Sequence, residues 1–407
     1  MGIQSASQLG TTLLIRSLTM ALVGSLVSLS ACSIRSPQKL YEQGLKAYES
    51  EDLNGALKSY ERALAVDPNF YPALVGQGDV LLDMQQPDAA LKAYEQALSI
   101  ELDDLEALNG RAYALFELGR YDEALVVYEQ VIAIAPDYSH AWLGRGDVLT
   151  RLKRYDDAIK SYNKVLALSP DGPETWIAWN NRGDALYYAG RYKAALESAD
   201  KALSLSPDAA DAWFIKGNVL TRLQKPTDAI AAYDNALRLM PDFFAAWSAK
   251  GNALLMAKRG EDAIAAYDQA LQIEPTYLYA WLGKGNALSE AGQYEQAVEA
   301  YDKALASQPK GQSSVASQDP TSQSNNPEQS GILNSRGNAQ MALAQPEKAL
   351  ADYEKALKIK PDFAEAWFNK GNALAALGRK ADALAAYDQA LKIKPNYSAA
   401  QAKRQQL

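Results

Sequence analysis

Prolines recur in this chain at 68, 136, 170, 207, 241, 275, 309, 361 and 395, and most of the spacings are 34 residues or twice that. The exceptions are 37, from 170 to 207, and 52, from 309 to 361. A fixed period of this size means one supersecondary unit repeated, each copy burying its apolar face on its neighbours. With every proline at position 32, ten units begin at Pro37, Tyr71, Leu105, Ser139, Trp176, Ala210, Phe244, Leu278, Ser330 and Ala364. Only the second lacks the proline and has Leu102 instead. Position 20 is alanine in all ten units, and position 8 is glycine in nine, Ala112 being the exception. Position 24 is tyrosine in nine, with Ala199 the exception, and position 4 is tryptophan in six and leucine in four. Position 27 is alanine in eight units and valine, Val131 and Val165, in two. Apolar residues at 4, 8 and 11, then at 20, 24 and 27, make one stripe on each of two successive helices. Glycine at 8 and alanine at 20 and 27 are small where helices are expected to cross closest.

Proline at 32 ends the second helix, because the residue before a proline is pushed out of helical geometry. Between the helices, Gly119, Gly190, Gly292 and Gly378 at position 15 are stop signals. Pro87, Pro226 and Pro346 at position 17 stand where a new helix tolerates them. These units resemble the tetratricopeptide repeat over residues 37–397, apart from two insertions. The resemblance implies an all-α, right-handed α-solenoid of about ten helix-turn-helix repeats with a concave groove. A pentatricopeptide array has a 35-residue period and wants a basic RNA groove, so it fits less well.

The resulting organisation is 37–311 for repeats 1–8, 312–329 for an insertion, 330–397 for repeats 9–10 and 398–407 for a C-terminal capping helix. The insertion, almost all Ser, Gln, Asn and Pro, has nothing to bury and reads as a disordered surface loop. A smaller insertion, Pro173-Glu174-Thr175, reads as a longer turn or a helix start. Residues 398–407 begin like an eleventh first helix and turn polar, as a terminal cap should.

The family resemblance places positions 2, 5, 9 and 12 on the groove. Position 9 reads Asp79, Tyr113, Asp147, Asp184, Asn218, Asn252, Asn286, Asn338 and Asn372 in repeats two to ten. Such a ladder of short carboxylates and amides suits the backbone of an extended peptide. Position 5 adds Asn109, Asn180, Phe214, Asn334 and Phe368. Chaperone-binding members clamp a C-terminal carboxylate with a lysine at position 5 and an asparagine at position 9. The five asparagine-bearing repeats here have Phe214, Ser248, Leu282, Asn334 and Phe368 at the lysine place, so that clamp is absent. At position 7, where the family usually has leucine, eight units carry a cation: Arg111, Arg145, Arg182, Lys216, Lys250, Lys284, Arg336 and Lys370. We expect their stems to cover apolar surface and their heads to pair with neighbouring acids, in preference to forming a basic stripe.

The chain's formal net charge is −8, with 41 basic and 49 acidic residues, one cysteine and one histidine. An acidic surface argues against nucleic acid. One cysteine excludes an internal disulfide and a thiolate zinc cluster, and one histidine leaves only His140 for any triad. No metal, cofactor or small-molecule substrate is expected. An enzyme needs a non-repeat domain beside the array, and the sequence has none, so the reading is a non-enzymatic binding protein.

Between Ser17 and Ala31 runs an uncharged stretch too short to span a bilayer, preceded by Arg16 and ending in Leu29-Ser30-Ala31-Cys32. It resembles the lipobox of bacterial lipoproteins, which implies a signal peptide over 1–31 and a lipid on Cys32. Ser33 after the cysteine implies the outer membrane, facing the periplasm. Five Cα–Cα steps from Cys32 to Pro37 reach at most about 17–19 Å. The first repeats are therefore expected to be the mount, and repeats five to ten the receiving end for protein or peptide partners. Lipoproteins of this kind serve as scaffolds, or as targeting subunits in peptidoglycan-hydrolase, protease, pilus or secretion assemblies. Intact-mass analysis of the membrane-extracted protein should show loss of residues 1–31 plus acyl mass. A Cys32→Ser protein that stays membrane-bound with 1–31 attached would point to an uncleaved anchor.

Overall fold

The computed structural model describes residues 36–307 and 327–407. The proposed signal peptide, Cys32 and most of the 312–329 insertion lie outside the described residues. Among the described residues there are 21 helices and no strand. They form two compact bodies, divided between Val219 and Leu220.

The first body contains α1 (Pro37–Glu49), α2 (Leu53–Val66), α3 (Tyr71–Asp83), α4 (Pro87–Ile100), α5 (Leu105–Glu117), α6 (Tyr121–Ile134), α7 (Ser139–Arg151), α8 (Tyr155–Leu168), α9 (Thr175–Tyr188) and α10 (Tyr192–Leu205), and α11 (Ala210–Arg222) starts in it. The second continues with α12 (Pro226–Leu239), α13 (Phe244–Met256), α14 (Gly260–Ile273), α15 (Leu278–Glu290), α16 (Tyr294–Ala306), α17 (Pro327–Ala342), α18 (Pro346–Ile359), α19 (Ala364–Ala376), α20 (Lys380–Ile393) and α21 (Ser398–Gln406). Odd-numbered helices α1 to α19 are the first of each repeat and even-numbered ones the second. From α1 to α10 in the first body and from α12 to α21 in the second, each helix packs on the next, and successive first helices of each run also touch one another. This is an α-solenoid.

The alanines at position 20 and the Ala or Val side chains at position 27 are fully buried in every repeat. Glycine at position 8 has a more specific cause than the expected close helix crossing. A Cβ on Gly78, Gly251 or Gly285 would lie 2.6 Å from the ring of Tyr94, Tyr267 or Tyr301, the position-24 tyrosine of the same repeat. The other side of that ring meets position 6 of the following repeat, where Gly76, Gly110, Gly144 and Gly283 face Tyr60, Tyr94, Tyr128 and Tyr267.

The turn between paired helices is the same in all ten repeats. Position 15 has positive φ, whether it is one of the four glycines or Glu51, Gln85, Lys153, Gln224, Lys258 or Ala344. The N–H of position 16 then bonds the carbonyl of position 11, as in Arg120 to Leu115 at 2.9 Å, which is the Schellman closure. Six repeats thus accept the left-handed cost that glycine avoids.

The turns between repeats are tied by position 4. Trp142, Trp213, Trp247, Trp281 and Trp367 each donate the indole Nε1–H to the carbonyl of the preceding position-32 proline at 2.8–2.9 Å. The cap α21 keeps this register: Gln401 Nε2 donates to the Pro395 carbonyl at 2.9 Å and Ala400 is fully buried. Leu102, in the repeat without the proline, is 74% exposed. The Pro173–Thr175 insertion is taken up by the turn before α9 and by the first residue of that helix, Thr175, whose Oγ1 donates to the Ser169 carbonyl at 2.6 Å. The second insertion ends earlier than expected, since α17 starts at Pro327 and Tyr279 donates to Glu328 across 2.9 Å.

One core position departs from the apolar pattern. Gln340 occupies position 11 and is only 7% exposed, with its Oε1 lacking a partner. Eight other repeats carry leucine there. An unsatisfied buried amide costs about 1–3 kcal/mol. Gln340→Leu should therefore stabilise repeats 9 and 10 by about that amount, read as slower native-state amide exchange in α17–α19. Unchanged or faster exchange would show the amide to be satisfied.

Candidate functional site

The first helices line one face of each body, and position 9 lies along it. Its side chains carry a bond that residue types alone did not reveal. In six repeats the tyrosine at 24 donates its hydroxyl to the position-9 oxygen: Tyr94 to Asp79 at 2.6 Å, Tyr162 to Asp147 at 2.8 Å, Tyr267 to Asn252 at 2.7 Å, Tyr301 to Asn286 at 2.8 Å, Tyr353 to Asn338 at 2.8 Å and Tyr387 to Asn372 at 2.9 Å. The amide oxygens are thus occupied. The Nδ2 donors of Asn252, Asn286, Asn338 and Asn372 have no partner among the described residues, and Asn252 and Asn338 are exposed. In the second body the face therefore presents a row of fixed amide donors.

The predicted position-5 rings are less available. Phe368 packs between Tyr387 and Tyr397, with centroids 5.8 and 5.1 Å away, and serves the junction of repeat 10 with the cap. Phe214 and Asn218 are half-buried on α11. Asn180 is buried on α9, and its Nδ2 donates to Asn181 Oδ1 at 3.1 Å. Asn181 in turn donates to Asp147 Oδ1 at 2.8 Å.

The cations at position 7 do not form a free basic stripe. Lys216, Lys250, Lys284 and Lys370 pair with Asp200, Asp234, Asp268 and Glu354 of the preceding repeat at 2.5–3.0 Å. Each also lies over the tryptophan three residues before it, at 4.9–5.5 Å from the ring centroid. Arg145, Arg182 and Arg336 reach further, to Ser161, Ser198 and Asp352 at position 23 of their own repeats.

The face of the first body is acidic, where the second has amides. Burial pushes the carboxyls of Asp79 and Asp184 up to about 7 and those of Asp147 and Asp211 up to about 6. Asp83 and Glu106 push Asp79 further up, and Asp211 and Asp147 do the same to Asp184. Arg151 opposes this at Asp147 and Asp184, while its guanidinium lies over the Phe116 ring. Asp211, Asn181, Arg151 and Tyr188 belong to this site and were not foreseen. Position 2 pointed to Asp211, and Ala199 in place of tyrosine marked the repeat.

Among the described residues no group of three His, Cys, Asp or Glu could hold a metal ion, and no helix is long and apolar enough to cross a membrane. Three family models, each described as tetratricopeptide repeat, match the chain. One matches 41–83, 75–139, 180–239, 220–277 and 334–398, well over half of it, and the others match 137–208 and 254–317. The chain belongs to the tetratricopeptide-repeat family. No curated protein sequence matches it.

Among solved structures, a tetratricopeptide-repeat protein from Parabacteroides merdae is 19% identical, with TM-score 0.51, over 62% of this chain and 98% of its own. Human IFIT1, solved as a dimer with m7Gppp-AAAA, is 16% identical with TM-score 0.52 over 89% and 91%. YrrB, described as a tetratricopeptide-repeat protein with an unusual peptide-binding site, is 20% identical with TM-score 0.41 over 52% and 99%. These likenesses concern the fold.

The buried carboxyls make stability depend on pH. Their folded pKa values lie above the usual value of 3.8, so the folded state holds protons that the unfolded state releases. Their contribution to stability is therefore greatest below about 4 and is lost as pH rises to about 7, where the folded carboxyls also ionise. Asp79→Asn and Asp147→Asn keep an oxygen for the tyrosine hydroxyl, as Asn252 does, and remove the charge. Urea midpoints should rise for both variants above pH about 7 and change little near pH about 4. A lower midpoint throughout would mean that the charges stabilise the fold.

Proposed function

We propose that this protein is a non-catalytic scaffold of a bacterial cell envelope, anchored through a lipid on Cys32, that binds extended segments of partner proteins along its first-helix face. The binding reading rests on one observation above all. Four position-9 asparagines have their oxygens held by tyrosine hydroxyls, which leaves four oriented amide donors for a peptide's carbonyl groups. Prefixed donors of this kind cost little ordering on binding. They recognise backbone and leave sequence preference to other contacts. Membership of a family whose members generally mediate protein–protein interaction supports the same reading. The acidic face of the first body opposes an RNA ligand of the kind bound in the IFIT1 structure. The envelope and lipid anchor rest on Leu29-Ser30-Ala31-Cys32 alone, and an outer-membrane position facing the periplasm follows from Ser33.

A photo-crosslinking residue at position 252 or 286 should capture a partner in envelope preparations, and one at the exposed Gln269 on α14 should not. Replacing Asn252, Asn286 and Asn372 together by alanine should abolish capture from position 338 while leaving helix content unchanged. Capture from 269 alone, or undiminished capture by the triple variant, would place the partner elsewhere.

A further inference from the structure

Repeat 5 is the one repeat whose position-24 tyrosine is missing, and the consequences gather on its first helix. In six repeats a tyrosine hydroxyl supplies the position-9 oxygen with its donor. Ala199 has none to give, so Asp184 has neither that bond nor any ion pair among the described residues. One turn earlier on the same face, Asn180 is 3% exposed and spends its Nδ2 on Asn181, which leaves its Oδ1 without a partner. Asp211, in the first turn of α11, is 8% exposed with its Oδ1 likewise unpartnered. The helix N-terminus there offsets part of its charge but does not bond that oxygen.

Asp211 is close enough to Asp184 to raise its pKa. The shortage is therefore entirely of donors: two carboxylates and one amide oxygen, with a single cation, Arg151, acting on the site from over the Phe116 ring. Tyr188 stands one turn beyond Asp184, 55% exposed, with its ring stacked on Tyr155 at 5.8 Å. An exposed aromatic face beside carboxylates suits a flat cation.

We propose that the first-helix face of repeats 5 and 6 receives an arginine side chain of the bound partner, its guanidinium taken by Asp184, Asp211 and the Asn180 carbonyl against the Tyr188 ring. Arginine fits better than lysine. Its five donors in a rigid plane can serve several acceptors at once and stack on a ring, while an ammonium is a point charge. A guanidinium also brings the positive charge that the neighbouring carboxyls lack. This deepens the scaffold reading, on which it rests, by adding a sequence preference for arginine to recognition of backbone.

The test uses the whole mature chain and a fluorescent, acetylated peptide amide of alternating glycine and arginine, compared with its lysine and citrulline counterparts. Citrulline keeps the shape of arginine and loses the charge. The arginine peptide should bind at physiological salt, and both counterparts should bind at least about tenfold more weakly, the scale of a lost charge-assisted bond. The double variant Asp184→Asn, Asp211→Asn should lose about tenfold or more, Tyr188→Ala should lose less, and Asp122→Asn, at an exposed carboxylate on the second helix α6, should change nothing. Since the double variant removes buried charge, its urea midpoint should not fall, which separates loss of the site from loss of the fold. Equal binding of arginine and citrulline peptides would overturn the proposal. So would a loss for Asp122→Asn as large as for the double variant, since that means diffuse attraction. Partner capture from position 252 with no arginine preference would leave the groove reading standing and remove this one.

Discussion

Nine of the ten repeats are built round a buried tyrosine at position 24. The position-24 ring fills the space left by the absent side chain at position 8 of its own repeat, and four times also that at position 6 of the next. A large ring held in this way contributes much of the apolar burial at a helix pair. Its hydroxyl, arriving at the first-helix face, needs a partner, and position 9 supplies one. Packing and recognition are thereby joined: the ring that holds the helices together also sets the orientation of the groove side chain. Removing the glycine's freedom of space, or the oxygen at 9, strikes the same tyrosine from opposite ends.

A second tie joins neighbouring repeats and explains a departure from the family's leucine. The position-7 cation lies over the position-4 indole and reaches the acid at position 25 of the repeat before. Arg404 keeps the habit in the cap by pairing with Asp388 at 2.5 Å. In four of the five repeats with alanine at position 23 (Ala232, Ala266, Ala300 and Ala386), position 7 is lysine, and in the fifth, with Ala93, it is Gln77. Where position 23 is Ser161, Ser198 or Asp352, it is arginine, whose longer fork also serves that group. Exposed ion pairs are weak singly. Half-covered stems over indole rings add contact area, and the tie recurs at most junctions.

The period, the ten repeats and the helix pairing were legible because they rest on spacing alone. Proline at 32 and alanine at 20 and 27 mark helix ends and buried contacts whatever the neighbours do. The site was legible by half. Residue types at position 9 could be read, but the bond from a tyrosine fifteen residues later joins two helices, and only their packing shows that the hydroxyl reaches the oxygen. The ladder was therefore read as free acceptors and donors alike, when the oxygens of Asn252, Asn286, Asn338 and Asn372 are taken. The contacts of Phe368 were hidden for a similar reason, since its companions Tyr387 and Tyr397 come from the next helix and the turn after it. The left-handed turns at Lys258 and Ala344 carry no sequence mark, because the closure at position 16 compels them from outside.

Aspartate and asparagine both serve at position 9 as acceptors for the tyrosine, yet they are not equivalent in the unbound protein. An amide there costs nothing in charge, and five of the ten repeats use it. A carboxylate in the same pocket is lifted towards neutrality by burial and by its neighbours, as at Asp79 and Asp147. Packing cannot account for the choice, since the tyrosine bond is made equally well in both. In a solenoid each repeat touches only its neighbours, so a repeat can bear such a local penalty without disturbing the rest. The acids occur in repeats 2, 4 and 5, with Tyr113 in repeat 3, and the amides in repeats 6 to 10. A local cost that packing does not require is what the proposed arginine site calls for. The missing tyrosine at Ala199 belongs to the same logic, for it removes the internal donor at the place where an external one is to enter.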